Sequence, residues 1–177
     1  MSLNRLKNLS GHKLKSFRRE YKIFVREYNS SIEPITPHIF SELTAFHEEA
    51  EKNLRQRHGD SEKIEIDDAM FYKALEYWEK PGNLSGFVVR IGGKIAAYQI
   101  DEIISETYSI GLLAKADYSY KGVNQFAYWY LAKSSIERGI MFQNIMGDAG
   151  DENLRMFKEH LDPLVLLKQY HVTYLPI

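Results

Sequence analysis

Two stretches of the 177-residue chain carry side chains whose types and spacing could do chemistry. One runs Asn144-Ile-Met-Gly-Asp-Ala-Gly-Asp151 and continues as Glu152-Asn-Leu-Arg-Met-Phe-Lys158. On a helix following that loop, Arg155 and Lys158 are three apart, near one face and close to Asp148. An aspartate can take an ammonium, while arginine or lysine takes a carboxylate or a developing oxyanion, so the group could hold an amino acid. The plainer alternative is a capped loop followed by a surface basic pair. The other stretch, Leu113-Ala-Lys-Ala-Asp-Tyr-Ser-Tyr-Lys-Gly122, leads into a helix starting near Val123. A glycine that opens a helix offers free backbone N–H groups at the positive dipole end, a candidate anion site to which Lys115 and Lys121 add charge. Its plainer alternative is an ordinary turn in which Gly122 supplies unusual dihedrals.

Other chemistries have no support. There is no cysteine, which removes disulfides, thiolate zinc sites and cysteine nucleophiles together. No GxSxG elbow, P-loop, GxGxxG or HExxH is present. Histidines 12, 38, 47, 58, 160 and 171 are scattered rather than paired, and each reads as a surface or half-buried side chain before it reads as a ligand. No apolar run approaches a membrane span, and the N-terminus lacks the apolar core of a signal peptide. A cytoplasmic or membrane-peripheral location is the expectation.

The formal net charge of −1 hides a division. Residues 1–28 hold eight basic and two acidic side chains, a net of +6, and the remainder holds a net of −7. Leu14, Phe17, Tyr21, Phe24, Val25 and Tyr28 recur at helical spacing inside the basic segment. Lys13, Lys15, Arg18, Arg19 and Lys22 fill most positions between them. Such a helix can pack its aromatic face and solvate its charges, contact nucleic-acid phosphates, or approach an anionic lipid surface. A domain organisation of 1–28 as a basic arm and 29–177 as a globular unit follows from the composition break.

The elements that must position these residues are legible in outline. Thr36-Pro37 starts a helix running to about Arg57, and Asp67-Asp68 can cap another that Pro81-Gly82 ends. Strands 86–91 and 94–100 flank the Gly92-Gly93 turn, and a third follows over about 107–113. A helix over about 123–138, a strand 141–145, a capped helix over 151–161 and a closing strand over 164–174 complete the chain. Helices first, then an antiparallel meander, then alternating helix and strand indicate an α+β or mixed-sheet domain.

The order of these pieces resembles the C-terminal domain family of bacterial phosphatidylglycerol lysyltransferases and, more distantly, the Fem-type peptidoglycan aminoacyltransferases, both of GNAT-like fold. The matching residues are Gly11-His-Lys-Leu-Lys-Ser-Phe-Arg-Arg19 with Phe24, Glu33-Pro-Ile-Thr-Pro37 and Gly92-Gly-Lys-Ile-Ala-Ala97. Lys115-Ala-Asp117 with Lys121-Gly122, and Gly147-Asp-Ala-Gly-Asp-Glu-Asn-Leu-Arg155 running into Phe157-Lys158 and Pro163, complete the match. The resemblance implies a mostly antiparallel central sheet flanked by helices. It also implies transfer of an aminoacyl group from aminoacyl-tRNA to a lipid or peptide amine or hydroxyl. Asp148 and Arg155 would then hold the aminoacyl moiety, with Asn144 at the start of the same loop. Lys158 would stabilise charge at the transferring carbonyl. Lys115, Asp117 and Gly122, with Tyr120 and Lys121 beside them, would line the gap in the sheet where an acyl donor lies.

Members of this family carry two GNAT-like repeats, and the chain resembles the connecting basic helix plus the second, so an N-terminal repeat or a second copy is an expected partner. The helix over 13–26 would face tRNA or anionic lipid. Acetyl-CoA-dependent relatives have a Q/R-x-x-G-x-G/A pyrophosphate loop, whereas Ser119-Tyr-Lys-Gly-Val-Asn124 has one glycine. Aminoacyl-tRNA is therefore the preferred donor. An acetyl-CoA-dependent N-acetyltransferase and a non-catalytic GNAT-like module are the alternatives, and no further cofactor is implied.

Overall fold

The computed structural model of the chain describes residues 3–59, 62–80, 83–148, 150–168, 170 and 173. The element order is α1 (Leu3–Lys7), α2 (Lys15–Glu27), β1 (Ser30–Pro34), α3 (Phe40–His58), α4 (Glu62–Tyr77), β2 (Leu84–Ile91), β3 (Lys94–Ser105), β4 (Tyr108–Ala116), α5 (Val123–Glu137), β5 (Phe142–Asn144) and α6 (Glu152–His160). The strands form one sheet in the order β1-β2-β3-β4-β5, antiparallel except for the last pair. This is the expected mixed, mostly antiparallel α+β architecture.

Alternation of side chains along the strands divides the core into two layers. Val88, Ile95, Tyr98, Ile100 and Leu113 face α3 and α4, where they meet Leu43 and Phe71. Phe87, Val89 and Ala97 face the other way, towards Val123, Ala127 and Leu131 of α5. Leu3, Leu6, Leu14, Phe17 and Phe24 from α1, α2 and the turn between them belong to that second layer. The basic segment thus packs its apolar stripe onto the same core as α5, with Tyr21 against Trp129 and Phe24 against Phe126 at centroid distances of 5.0 and 4.6 Å.

Gly92 and Gly93 turn the β2–β3 hairpin with φ of 57° and 82°, the left-handed pair a tight two-residue loop requires. Asp151 caps α6 as expected, its carboxylate accepting from the N–H groups of Asn153 and Leu154.

Several expectations are corrected. Pro37–Ile39 form a 3-10 turn before α3, and the Thr36 hydroxyl meets His38 Nδ1 at 2.5 Å instead of capping the helix. Asp67 and Asp68 cap nothing: α4 starts at Glu62, and these carboxylates bond to Lys115 and His47. His47 is fully buried, stacked at 3.8 Å on Phe71. Residues 164–168 are irregular rather than strand, and the rest of the expected closing strand, apart from 170 and 173, lies outside the described residues. The Pro81-Gly82 stop and His171 also lie outside them. Among the described residues the two charge populations pair where Arg5 and Lys13 meet Asp162.

Candidate functional site

The parallel pair β4–β5 is short: Tyr108, Ser109 and Ile110 align with Phe142, Gln143 and Asn144. From Gly111 to Ala116, β4 keeps β3 on one side and has no strand on the other among the described residues. The sheet therefore opens into a gap beyond Asn144, and the chain leaving β5 forms its far wall.

That wall is held by α6. Lys158 Nζ donates to the carbonyl oxygens of Ile145 and Gly147 at 2.6 Å and of Met146 at 3.3 Å. Arg155 Nε bonds Asp148 Oδ2 at 2.6 Å, and the Gly150 N–H meets the other oxygen at 2.9 Å. The Arg155 hydrogen bond, seconded by Gly150, holds the Asp148 carboxyl down at about 2. Asn144 Oδ1 accepts from the Met146 N–H, and Met146 sits at φ 63°. Asn144, Asp148, Arg155 and Lys158 are thus brought together around one loop, as their spacing suggested. Chemically this is a fixed cation at the lip of the gap beside a self-neutralised acid–base pair. An ammonium has three donors, and here three carbonyls meet it, so Lys158 must release one carbonyl to contact a substrate oxyanion.

The other predicted residues go elsewhere. Lys115, expected to line the gap, points to the opposite face of the sheet. It forms an ion pair with Glu51 Oε1 at 2.5 Å and hydrogen-bonds Asp67 Oδ2 at 2.9 Å, because its strand neighbour across the sheet is Tyr98 of the α3–α4 layer. Asp117 accepts from the Ser119 N–H, closing its own turn. Tyr120 packs edge-on against Tyr28, and the Lys121 N–H donates to the Tyr28 hydroxyl. Gly122 (φ 82°) lies directly under α2: a Cβ built there would be 2.2 Å from the Glu20 carbonyl oxygen. Gly122, at the start of α5, is therefore packed against backbone of the basic helix.

Of the predicted anion-binding set, Lys15, Arg19 and Lys22 are exposed and, with Arg26, fall at helical spacing on the outer face of α2. Arg18 is turned back onto the carbonyls of Leu9 and Gly11, and Lys13 onto Asp162.

Four polar residues near the gap escaped the sequence reading. Gln99 and Asp101 of β3 are each 3% exposed on the α5 side of the sheet. Gln99 pairs across the sheet with Ala114, in the part of β4 that borders the gap, and neither of its amide atoms has a hydrogen-bond partner among the described residues. Asp101 is bridged over Gly111 by Gln143 Nε2 at 3.0 Å, and burial pushes its carboxyl up to about 7. Burial likewise raises the Tyr128 hydroxyl, whose ring packs on Phe157 of α6. The signal was present: Gln99 and Asp101 fall at alternate positions directly after the apolar run Ile95–Tyr98. Among the described residues no group of His, Asp and Glu is arranged to hold a metal ion.

A family model of the phosphatidylglycerol lysyltransferase C-terminal region matches residues 1–172. The chain belongs to that family. The resemblance read from its motifs is thus borne out. A solved structure of a conserved protein of unknown function from Bacteroides thetaiotaomicron is 26% identical, with a TM-score of 0.81 over 93% of this chain and 55% of that one. The C-terminal DUF2156 domain of a protein described as a lysylphosphatidylglycerol synthetase from Agrobacterium fabrum is 16% identical (TM-score 0.53), matching 81% of this chain and 44% of its own length. The chain spans about half the length of these two relatives. A ribosomal-protein-alanine N-acetyltransferase from Brucella melitensis is 13% identical (TM-score 0.59) over 82% of this chain and all of its own, which shows the GNAT-like fold. No curated protein matches significantly. No helix among the described residues is long and apolar enough to cross a membrane.

Proposed function

We propose that this GNAT-like acyltransferase-family domain takes an aminoacyl group from aminoacyl-tRNA and passes it to an amine or hydroxyl of a lipid or peptide. The observation that carries the reading is the seat of α2. It packs its backbone onto Gly122 at the start of α5, crowding the helix end whose N–H groups a pyrophosphate would need to approach. It also turns Lys15, Arg19, Lys22 and Arg26 to solvent. The same helix thus disfavours coenzyme A and offers a polyanion a cationic stripe spanning roughly 16 Å along its axis.

In the transfer, the acceptor's nucleophilic atom attacks the ester carbon and loses a proton, and the tRNA ribose hydroxyl leaves with one. Asp148 and Arg155 would orient the amino acid, and Lys158 would stabilise the oxyanion by exchanging one of its loop carbonyls for it. Most of the acceleration would come from orientation, since an activated ester held beside an amine needs little more.

Filter binding with charged and uncharged tRNA tests the reading. Four stripe cations give a log–log salt slope of roughly −3, and replacing Lys15 and Lys22 with alanine should bring it near −1.5. Transfer from charged tRNA should fall in Lys158→Met without loss of tRNA binding. Absence of tRNA binding at low salt, or a rise in melting temperature with acetyl-CoA, would refute it.

A further inference from the structure

Past α6 the chain leaves a run of apolar side chains in water. Leu164, Val165, Leu166 and Leu167 are each more than half exposed, rising to 74% at Leu167, and Tyr170 beyond them is open too. A single exposed leucine is ordinary, but a contiguous apolar patch marks a surface that meets something other than water.

The root of this segment is fixed. Leu161 is buried in the core layer that α5 shares with α1 and α2. Asp162 follows at φ 54°, a left-handed backbone uncommon outside glycine, and Arg5 and Lys13 both clasp its carboxylate, Lys13 at 3.1 Å. Pro163 then prevents the helix from resuming. No backbone group of residues 164–168 hydrogen-bonds to another backbone group among the described residues. A clamped turn thus carries the apolar side chains, and the clamp sets two cations that remain exposed at their base. Lys168, also exposed, supplies a third at the far end, so three cations surround the one acid.

We propose that residues 164–168, with Arg5 and Lys13 at their base, are a membrane-docking element that seats this domain on an anionic lipid surface. The aliphatic side chains enter at headgroup depth, and the three cations meet lipid phosphates. Two features favour a bilayer over a protein partner. The patch is a handful of side chains, whereas a stable protein contact needs roughly 800 Å² and about 20–30 residues from each side. A bilayer needs no matching surface, and apolar side chains bracketed by cations follow its own layering of hydrocarbon beneath phosphate. The unpaired backbone keeps the entry shallow, because headgroup-level water must still serve its N–H and C=O groups. This docking stands apart from the transfer chemistry and does not depend on it.

Co-sedimentation of the full chain with phosphatidylcholine vesicles containing roughly 30% phosphatidylserine tests this, together with vesicles of phosphatidylcholine alone. The parent should bind the anionic vesicles and bind the neutral ones more weakly. Leu166→Gln and Leu167→Gln combined change no charge and alter side chains already in water, so melting temperature should hold while binding to anionic vesicles weakens at least about tenfold. Lys168→Gln should weaken binding about fivefold on anionic vesicles and leave binding to neutral ones unchanged. Leu166→Trp should shift its emission to the blue when anionic vesicles are added. Sedimentation without lipid should find no self-association that depends on Leu166 and Leu167. Absence of vesicle binding would overturn the proposal, as would binding that falls with Lys15→Ala and Lys22→Ala yet ignores the two leucine changes. A dimer dissolved by the leucine changes would overturn it too, by giving the patch to a second copy of the chain.

Discussion

Replacing Gly122 with alanine tests the contact on which the functional reading rests. The residue sits at φ 82°, and the added Cβ would stand 2.2 Å from the Glu20 carbonyl oxygen, 2.9 Å from its carbon and 3.1 Å from Phe24 Cβ. Neither the left-handed backbone nor the mid-helix carbonyl can rotate away, so α2 must retreat by about 1 Å to restore ordinary contact. The backbone term costs about 1 kcal/mol. Overpacking against a fixed helix adds about 1–3 kcal/mol. Complete lifting of α2 is dearer, because it exposes Phe17 and Phe24 at about 1.5–3 kcal/mol each. The expected loss is therefore about 2–4 kcal/mol, or roughly 5–15 °C in melting temperature for a chain of this size. Gly93→Ala is the control: its φ is also 82°, but nothing lies within 4 Å of the added carbon. It should lose only about 1 kcal/mol. Calorimetric melting of both variants, with near-ultraviolet dichroism to follow Trp129 against Tyr21, gives the answer. Equal losses in the two variants would refute the seating of α2 on Gly122.

Two further outcomes follow from the electrostatics. Burial raises the Asp101 carboxyl to about 7 from an unfolded value of about 3.9, so the native state retains a proton the unfolded chain releases. Stability from this group is complete below pH 4 and declines by up to roughly 4 kcal/mol as the pH rises through 7. Asp101→Asn should keep the Gln143 contact and flatten that decline, seen as urea midpoints that no longer drop between pH 5 and 8; an unchanged drop would dismiss the assignment. Asp148 has the opposite sign: held at about 2 by Arg155, it contributes above the ordinary carboxylate range and loses that contribution as the pH falls towards 2. Carbon-detected titration should find Asp148 near 2 in the parent and back in the ordinary range in Arg155→Met; no difference between the two would show that the pair is not formed.

Much of the site that spacing could bring together is visible in the sequence, because it is local. Asp148, Arg155 and Lys158 lie within one loop and three helical turns, so periodicity alone puts them side by side, and Asp151 caps the helix that carries them. The aromatic stripe of α2 and the Gly92-Gly93 hairpin are local in the same sense. Tertiary contacts decided the rest. Asp67 and Asp68 have the composition of a cap, but Lys115 and His47, 48 and 21 residues away, take their carboxylates into the α3–α4 layer. Lys115 has the composition of a gap cation, but strand parity turns it to the other face. Gln99 and Asp101 become neighbours of the gap only because β4 presents Ala114 and Gly111 beside them.

The sequence by itself determined most of the elements from α2 to α6, though not α1 or the edge strand β1, and the amphipathic character of the basic segment, since these follow from spacing along one chain. It could not determine which way that segment's charges face. Packing decided it: Phe17 and Phe24 must be buried against α5, and doing so leaves Lys15, Arg19, Lys22 and Arg26 in water while laying the Glu20 carbonyl on Gly122.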